Sequence, residues 1–122
     1  MTAVIGPAGV APVAEPGNDL NLRALVTAPE LGPDVSVTWV QLAGHHRRLR
    51  TDRSTRVYAV LAGSVEVQIG DDAPVTVGAG EVVVVPRGHP YELDGVCTYL
   101  VVNSPAFVDG DDVYSAGIKA AR

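Results

Sequence analysis

The sequence predicts a single all-β domain, and three observations support this prediction. The chain has 122 residues, the length of one ordinary domain. Valine dominates its aliphatic residues, with 22 Val against 9 Leu and 3 Ile, and β-branched side chains fit a pleated strand better than a helix. Its 13 glycines and 9 prolines divide the apolar segments into pieces of strand length.

These apolar segments predict eight short strands in a sandwich or barrel. Pro29 and the pair Gly32–Pro33 end the first strand, and the segment Gly70–Asp72 predicts a hairpin turn. Four consecutive valines at 82–85 indicate a strand buried on both faces. The predicted strands cover residues 20–27, 35–42, 56–61, 65–69, 74–77, 82–85, 91–93 and 96–102.

The two chain ends differ from this pattern. Residues 1–17 consist mainly of Ala, Gly, Pro and Val and are predicted to form a flexible N-terminal arm. Residues 18–108 form the predicted domain. Residues 109–122 are predicted to be a tail with a short helix.

Composition excludes several classes of protein. The net charge of −5 argues against binding to nucleic acid, which requires clustered positive charge. A single cysteine, Cys97, excludes a disulfide framework and a cysteine-based zinc site. No apolar run is long enough to span a membrane, and residues 1–16 are a poor signal peptide. We therefore expect a cytoplasmic protein, and the excess of arginine over lysine suggests a bacterial source.

Glycine and proline spacing defines two motifs. The first runs from Gly44 to Gly63, and the second runs from Gly80 through Pro86 and Gly88. The flanking segments read VYAVLAGSVEV and GEVVVVPRGHPYEL. Spacing and flanks resemble the small cupins, whose motifs are Gly-x5-His-x-His-x3-Glu-x6-Gly and Gly-x5-Pro-x-Gly-x2-His-x3-Asn. The resemblance covers about residues 35–105 and implies a single-domain jelly-roll β-barrel.

The metal-ligand positions of these motifs are substituted. Cupins hold a metal with two histidines and a glutamate of the first motif and a histidine of the second. The corresponding residues here are Arg50, Asp52, Arg56 and Tyr91. Because a guanidinium has no lone pair to give to a metal, we expect no cofactor and no metal in this protein.

The same residues suggest a different pocket chemistry. If they point into the barrel, Arg50 and Arg56 would bind or polarise the substrate, with Trp39 and Gln41 of a neighbouring strand as further binding residues. The candidate proton carriers are Tyr58, Tyr91 and His89, with Asp52 as a base or orienting group.

Simpler explanations of these residues remain open. The arginines could lie on a solvated loop with Asp52 as an ion-pair partner, Tyr91 could fill the barrel, and Trp39 could be a core residue. His89 could be an exposed turn residue. A displaced metal site could combine His46 and His89 with Glu92 or Asp52. Cys97 is expected to be an inert core residue.

The resulting functional prediction is a metal-independent isomerase, epimerase, cyclase or lyase. Its partner would be an anionic or carbonyl-bearing small molecule, in the biosynthesis of a specialised metabolite, with no nucleic acid and no membrane involved. The alternatives are a non-catalytic binding module, acting as a sensor or carrier, and a metal-dependent oxygenase with displaced histidine ligands. Small cupins commonly pair, so we expect a homodimer.

Overall fold

The computed structural model describes residues 4–115. Within this range the chain is almost entirely β-structure, which confirms the predicted fold class. Two short helical turns accompany the strands: η1 (Pro7–Gly9) precedes the first strand, and α1 (Ala28–Leu31) lies between the second and the third. The strands are β1 (Val13–Ala14), β2 (Leu20–Val26), β3 (Ser36–Arg50), β4 (Thr55–Ile69), β5 (Val75–Gly78), β6 (Val82–Val85), β7 (Tyr91–Ser104) and β8 (Val113–Tyr114).

All strand pairs are antiparallel, in the order β1-β2-β3-β7-β4-β5. Strand β6 pairs with the first half of β4, and β5 pairs with its second half. Strand β8 pairs with the end of β3. The long central strands β3, β7 and β4 therefore form the frame on which the shorter strands are arranged.

These central strands are longer than the sequence predicts. Two strands expected at 56–61 and 65–69 are one strand, β4, and those expected at 91–93 and 96–102 are one strand, β7. A register shift between Val60 and Ala62 lets β4 continue through the expected turn at Gly63. The shift also changes which residues face the core, from even positions before it to odd positions after it.

The core lies on the concave side of the sheet. It contains three tyrosines together with valines and leucines: Leu20, Val40, Leu42, Leu49, Tyr58, Val60, Val65, Val67, Val77, Val85, Tyr91, Leu93, Cys97 and Tyr99. Cys97 is a buried core residue here, as predicted. The valines of β6 correct another prediction, since Val85 is fully buried but Val82 and Val84 are exposed.

Both chain ends contact the barrel in the described part. Strand β1 pairs with β2, and the Arg23 guanidinium donates to the carbonyl oxygens of Pro7 and Val10 at 2.6 and 3.1 Å. At the other end, residues 113–114 form strand β8 where a helix was expected, and the remainder of that expected helix lies outside the described residues. No helix of the described residues is long and apolar enough to cross a membrane.

Candidate functional site

A cavity of about 360 Å³ opens at one end of the barrel. Six lining residues are apolar and come from β2, β3, β7 and the segment after β7. The other eight are polar or titratable. The apolar residues are Leu20, Leu22, Ala24, Val40, Val101 and Phe107, and the polar or titratable residues are Glu15, Thr38, His46, Arg56, Tyr58, Tyr99, Asn103 and Asp112. Apolar walls with a few convergent polar groups are typical of small-molecule sites.

Strand pairing positions three of the polar lining residues. Arg56 on β4 lies directly opposite Asn103 on β7, and Tyr58 lies opposite Val101. Side chains of directly paired residues emerge on the same face of a sheet. Arg56, Tyr58 and Asn103 therefore all point into the barrel, and Arg56 is only 4% exposed there.

The Arg56 guanidinium is the centre of a hydrogen-bond network. Its Nε donates to Asn103 Oδ1 at 2.6 Å, and Nη1 donates to the Tyr91 hydroxyl at 2.9 Å. Nη2 forms a salt bridge with the Asp112 carboxylate. The Tyr91 hydroxyl in turn lies 2.5 Å from that of Tyr58. Tyr58 lines the cavity, whereas Tyr91 is fully buried behind it.

The environment of the network fixes its protonation. Burial raises the pKa of Tyr58 well above its ordinary value and also raises that of Tyr91, although Arg56 acts in the opposite direction on both. Burial alone would lower the pKa of Arg56, but the oxygens of Tyr91, Tyr58 and Asp112 raise it further above its ordinary value. At neutral pH the site therefore contains a cation and two protonated phenols.

His46 is the second titratable group of the cavity. Its Nδ1 lies 2.9 Å from the backbone carbonyl of Arg47. Because a carbonyl only accepts, Nδ1 must be protonated, and a neutral ring then has its lone pair on Nε2. No hydrogen bond to Nε2 is found among residues 4–115. Burial lowers the pKa of His46, so the imidazole is neutral at pH 7.

Two of the predicted site residues, Arg50 and Asp52, lie away from this network. They pair with each other on the surface, Nε to Oδ1 at 3.0 Å, with side chains 41% and 59% exposed. A register shift in β3 between His46 and Leu49 explains this placement. Before the shift His46 faces the core, and after it Leu49 does, so Arg50 is turned outward.

Three further predicted residues also lie outside the cavity. Trp39 and Gln41 are on the convex side of β3, because Val40 and Leu42 face the core. Trp39 lies beside Arg23, whose guanidinium carbon is 5.6 Å from the ring centroid. His89 is exposed in the turn before β7 and contacts the carbonyl of its neighbour Arg87. The expectation that Trp39 and Gln41 line the cavity was wrong. The alternation of residues along a strand separates its two faces, but it does not say which face points into the barrel.

The structure also adds residues that the sequence did not indicate for this site. His46 was considered only for a displaced metal site, while Glu15, Asn103 and Asp112 were not considered. Asn103 is the residue for which a sequence signal existed, since it is an amide directly after the valines that end a predicted strand. Glu15 and Asp112 come from segments outside the core strands, whose placement no local pattern predicts.

The residues at the cupin metal positions do not fit a divalent cation. Arg56 offers only donors, the Tyr91 hydroxyl accepts from Arg56, and Arg50 and Asp52 are on the surface. The displaced site is not formed either, because His46 is in the cavity while His89 and Asp52 are exposed outside it. Within residues 4–115, the one group of three metal-ligating side chains in mutual reach is His45, Glu92 and Asp94, outside the cavity.

Comparison with known proteins agrees with this architecture. A family model described as "Cupin" matches residues 21–112. No curated protein matches the sequence.

Several solved structures superpose over most of the chain. A variant of the Streptomyces protein PAC13, solved with uridine, has a TM-score of 0.81 at 16% identity, covering 94% of this chain and 91% of its own. A further PAC13 structure is described as a nucleoside dehydratase, with 17% identity, a TM-score of 0.80 and coverage of 94% and 92%. The polyketide cyclase RemF from Streptomyces resistomycificus has 23% identity and a TM-score of 0.72, with coverage of 91% and 89%. At these identities the likeness concerns the fold.

Proposed function

The chain belongs to the cupin family, and from this premise we propose that it is a metal-independent enzyme that performs acid–base chemistry on a small carbonyl-bearing metabolite. The observation that carries the proposal is the meeting of a neutral imidazole and a protonated phenol, His46 and Tyr58, in one cavity. Burial lowers the pKa of His46 and raises that of Tyr58. A neutral base and a protonated acid whose pKa values are shifted in this way are a usual pair for proton transfer.

His46 is the proposed base. Its Nε2 lone pair can accept a proton from the carbon next to a substrate carbonyl, and its Nδ1 keeps the ring fixed on the Arg47 carbonyl. A base whose pKa lies near or below neutral pH is present in its neutral form without assistance. The electron pair left on carbon then moves into the carbonyl to give an enolate.

Tyr58 is the proposed acid, and Arg56 and Tyr91 are its positioning residues. When Tyr58 donates its proton to a substrate oxygen, the negative charge left on the phenol is shared through the 2.5 Å contact with Tyr91 and is stabilised by Arg56. If the oxygen belongs to a hydroxyl on the β-carbon, water leaves and a carbon–carbon double bond forms. If it belongs to the enolate, the same two groups catalyse isomerisation, epimerisation or ring closure.

The solved relatives support this choice of chemistry. PAC13 is described as a nucleoside dehydratase and RemF as a polyketide cyclase. Dehydration and ring closure of small molecules are both reactions that proton transfer next to a carbonyl allows.

Hydrogen exchange tests the proposal without knowledge of the natural product. Uncharged aldehydes and ketones, including aldehyde and ketone derivatives of nucleosides, are incubated with the protein in D2O, and deuterium incorporation or product formation is followed by NMR. His46→Asn keeps a donor for the Arg47 carbonyl but has no basic nitrogen, and Tyr58→Phe removes the acid. We expect each variant to lose at least about 100-fold in rate.

The matched control is His45→Asn, which removes the adjacent, outward-facing imidazole on the same strand. It should react at the wild-type rate. If no compound of the panel exchanges, or if exchange persists in both site variants, the protein is not an acid–base enzyme of this kind. Binding without turnover would instead favour the non-catalytic module.

A further inference from the structure

The charges that face the cavity are not balanced. Arg56 is the one cation among the lining residues, while Glu15 and Asp112 provide two carboxylates. His46, the other basic side chain of the lining, is neutral at pH 7 because burial lowers its pKa. One positive and two negative charges leave an excess negative charge in the described lining.

The positive charge of Arg56 is already paired inside the cavity. Three of the five N–H groups of its guanidinium donate, one each to Asn103, Tyr91 and Asp112, and Nη2 forms a salt bridge with the Asp112 carboxylate. A substrate carboxylate or phosphate that bound this guanidinium would share its charge with Asp112, and two anions on one cation are costly in a partly buried position.

Glu15 adds a second negative charge to the lining. Its Oε1 accepts from the Tyr114 hydroxyl at 2.9 Å and from Asn18 Nδ2 at 3.1 Å. These are neutral donors, and within residues 4–115 Glu15 forms no salt bridge. Its charge therefore remains uncompensated next to the cavity.

The nearest other cation does not reverse the balance. Arg47 lies over the Tyr114 ring, with its guanidinium carbon 3.9 Å from the ring centroid, and donates to the Pro16 carbonyl. It is exposed and does not line the cavity. Solvent and salt screen such a surface charge more strongly than they screen groups inside the barrel.

We propose that Glu15 and Asp112 are specificity-determining residues that make the cavity accept uncharged substrates and reject carboxylates and phosphates. This inference rests on the proposed function, because it takes the cavity that contains His46 and Tyr58 as the substrate-binding site. It narrows the sequence-based expectation of an anionic or carbonyl-bearing metabolite to an uncharged one. The apolar wall and the hydroxyls of Thr38 and Tyr99 fit an uncharged molecule with one apolar face and a few hydroxyl or carbonyl groups.

Binding to matched pairs of probes tests this inference independently of turnover. The pairs are uridine with uridine 5′-monophosphate, benzaldehyde with benzoate, and glyceraldehyde with glyceraldehyde 3-phosphate. Dissociation constants are measured by calorimetry or by ligand-observed NMR at low salt and pH 7.5. For the wild type we expect at least one uncharged member to bind, about tenfold or more tightly than its anion.

The isosteric variants Asp112→Asn and Glu15→Gln should reduce this preference. Each removes one negative charge from the cavity, so the anion should gain about threefold or more relative to its uncharged partner. Asp109→Asn, an exposed residue of the same C-terminal segment, makes the same change in net charge outside the cavity and should leave the ratio unchanged.

Three results would overturn the inference: tighter binding of the anions by the wild type, an unchanged ratio in both cavity variants, or no binding of any uncharged probe. Failure of the proposed function gives a different pattern of results. The protein would then bind uncharged probes more tightly than their anions but would never exchange the protons of those probes, which identifies a selective binding module.

Discussion

Two phenols of equal chemistry differ in their access to this cavity. Tyr58 faces the cavity and can reach a substrate, whereas Tyr91 lies between Tyr58 and Arg56 and is fully buried. Tyr91 occupies the position where cupins have a histidine ligand, and Arg56 the position of the glutamate. These two residues are hydrogen-bonded to each other, so the Arg56 guanidinium lies beside the Tyr91 hydroxyl inside the barrel.

The titration of His46 makes stability depend on pH. Burial lowers the pKa of His46 below the 6.5 of an exposed imidazole, so the unfolded chain takes up this proton at a higher pH than the folded chain does. The contribution of His46 is therefore complete above pH 6.5 and is lost as the pH falls through the folded-state pKa.

We expect the free energy of unfolding of His46→Asn to fall less between pH 7 and pH 5 than that of the wild type. Urea unfolding at a series of pH values measures both curves. Above pH 7.5, where the imidazole is neutral in both states, the two curves should run parallel. Equal slopes between pH 7 and pH 5 would contradict the assignment of a buried, neutral His46.

At the scale of single elements, irregularities in the long strands determine the site. The register shift in β3 places His46 inside and Arg50 outside, and the shift in β4 lets one strand supply both Arg56 near its start and core valines near its end. The alternation of apolar and polar residues predicted that these segments are strands. It could not predict the register shifts, because one extra residue in a strand moves every following side chain to the opposite face of the sheet.

Gly63 lies at a close approach of β4 to β7. Its φ is +74°, and a Cβ at this position would collide with the carbonyl oxygen of Val96. We expect Gly63→Ala to lower the free energy of unfolding by about 1–2 kcal/mol for the backbone conformation, with about 1 kcal/mol or more added by the collision.

Gly70 provides the matched control for this variant. Its φ is +58°, but a Cβ there meets nothing within 4 Å. Gly70→Ala should therefore show the conformational cost alone. Denaturant unfolding of both variants compares them, and equal losses would show that the close approach of β4 to β7 is not limiting.

At the scale of the whole molecule, the convex side of the sheet is apolar. Strand pairing aligns Val37, Val102, Val57 and Val84 in one row and Trp39, Leu100, Ala59 and Val82 in the next. All of these are at least partly exposed. Contiguous apolar surfaces of this kind are typical of protein–protein contacts.

The homodimer expected from the sequence stays a prediction, and this face is where we expect it to form. Val84→Glu would place a charge in the contact, so analytical ultracentrifugation should show the variant shifted towards monomer. Val75→Glu is the control, since Val75 is equally exposed, at 51%, but lies on β5 outside these rows. A wild-type monomer at high concentration, or equal effects of the two variants, would contradict this interface.

The sequence by itself determined the fold class and three of the polar residues that meet inside the barrel. Valine-rich segments between glycines and prolines specify strands, and motif spacing placed Arg56, Tyr58 and Tyr91 together. Only the tertiary structure decided which neighbours join them. Register shifts turned His46 inward and Arg50 outward, and the two terminal segments brought Glu15 and Asp112 to the cavity. Local periodicity cannot specify these placements, because they depend on contacts between residues that are far apart in the chain.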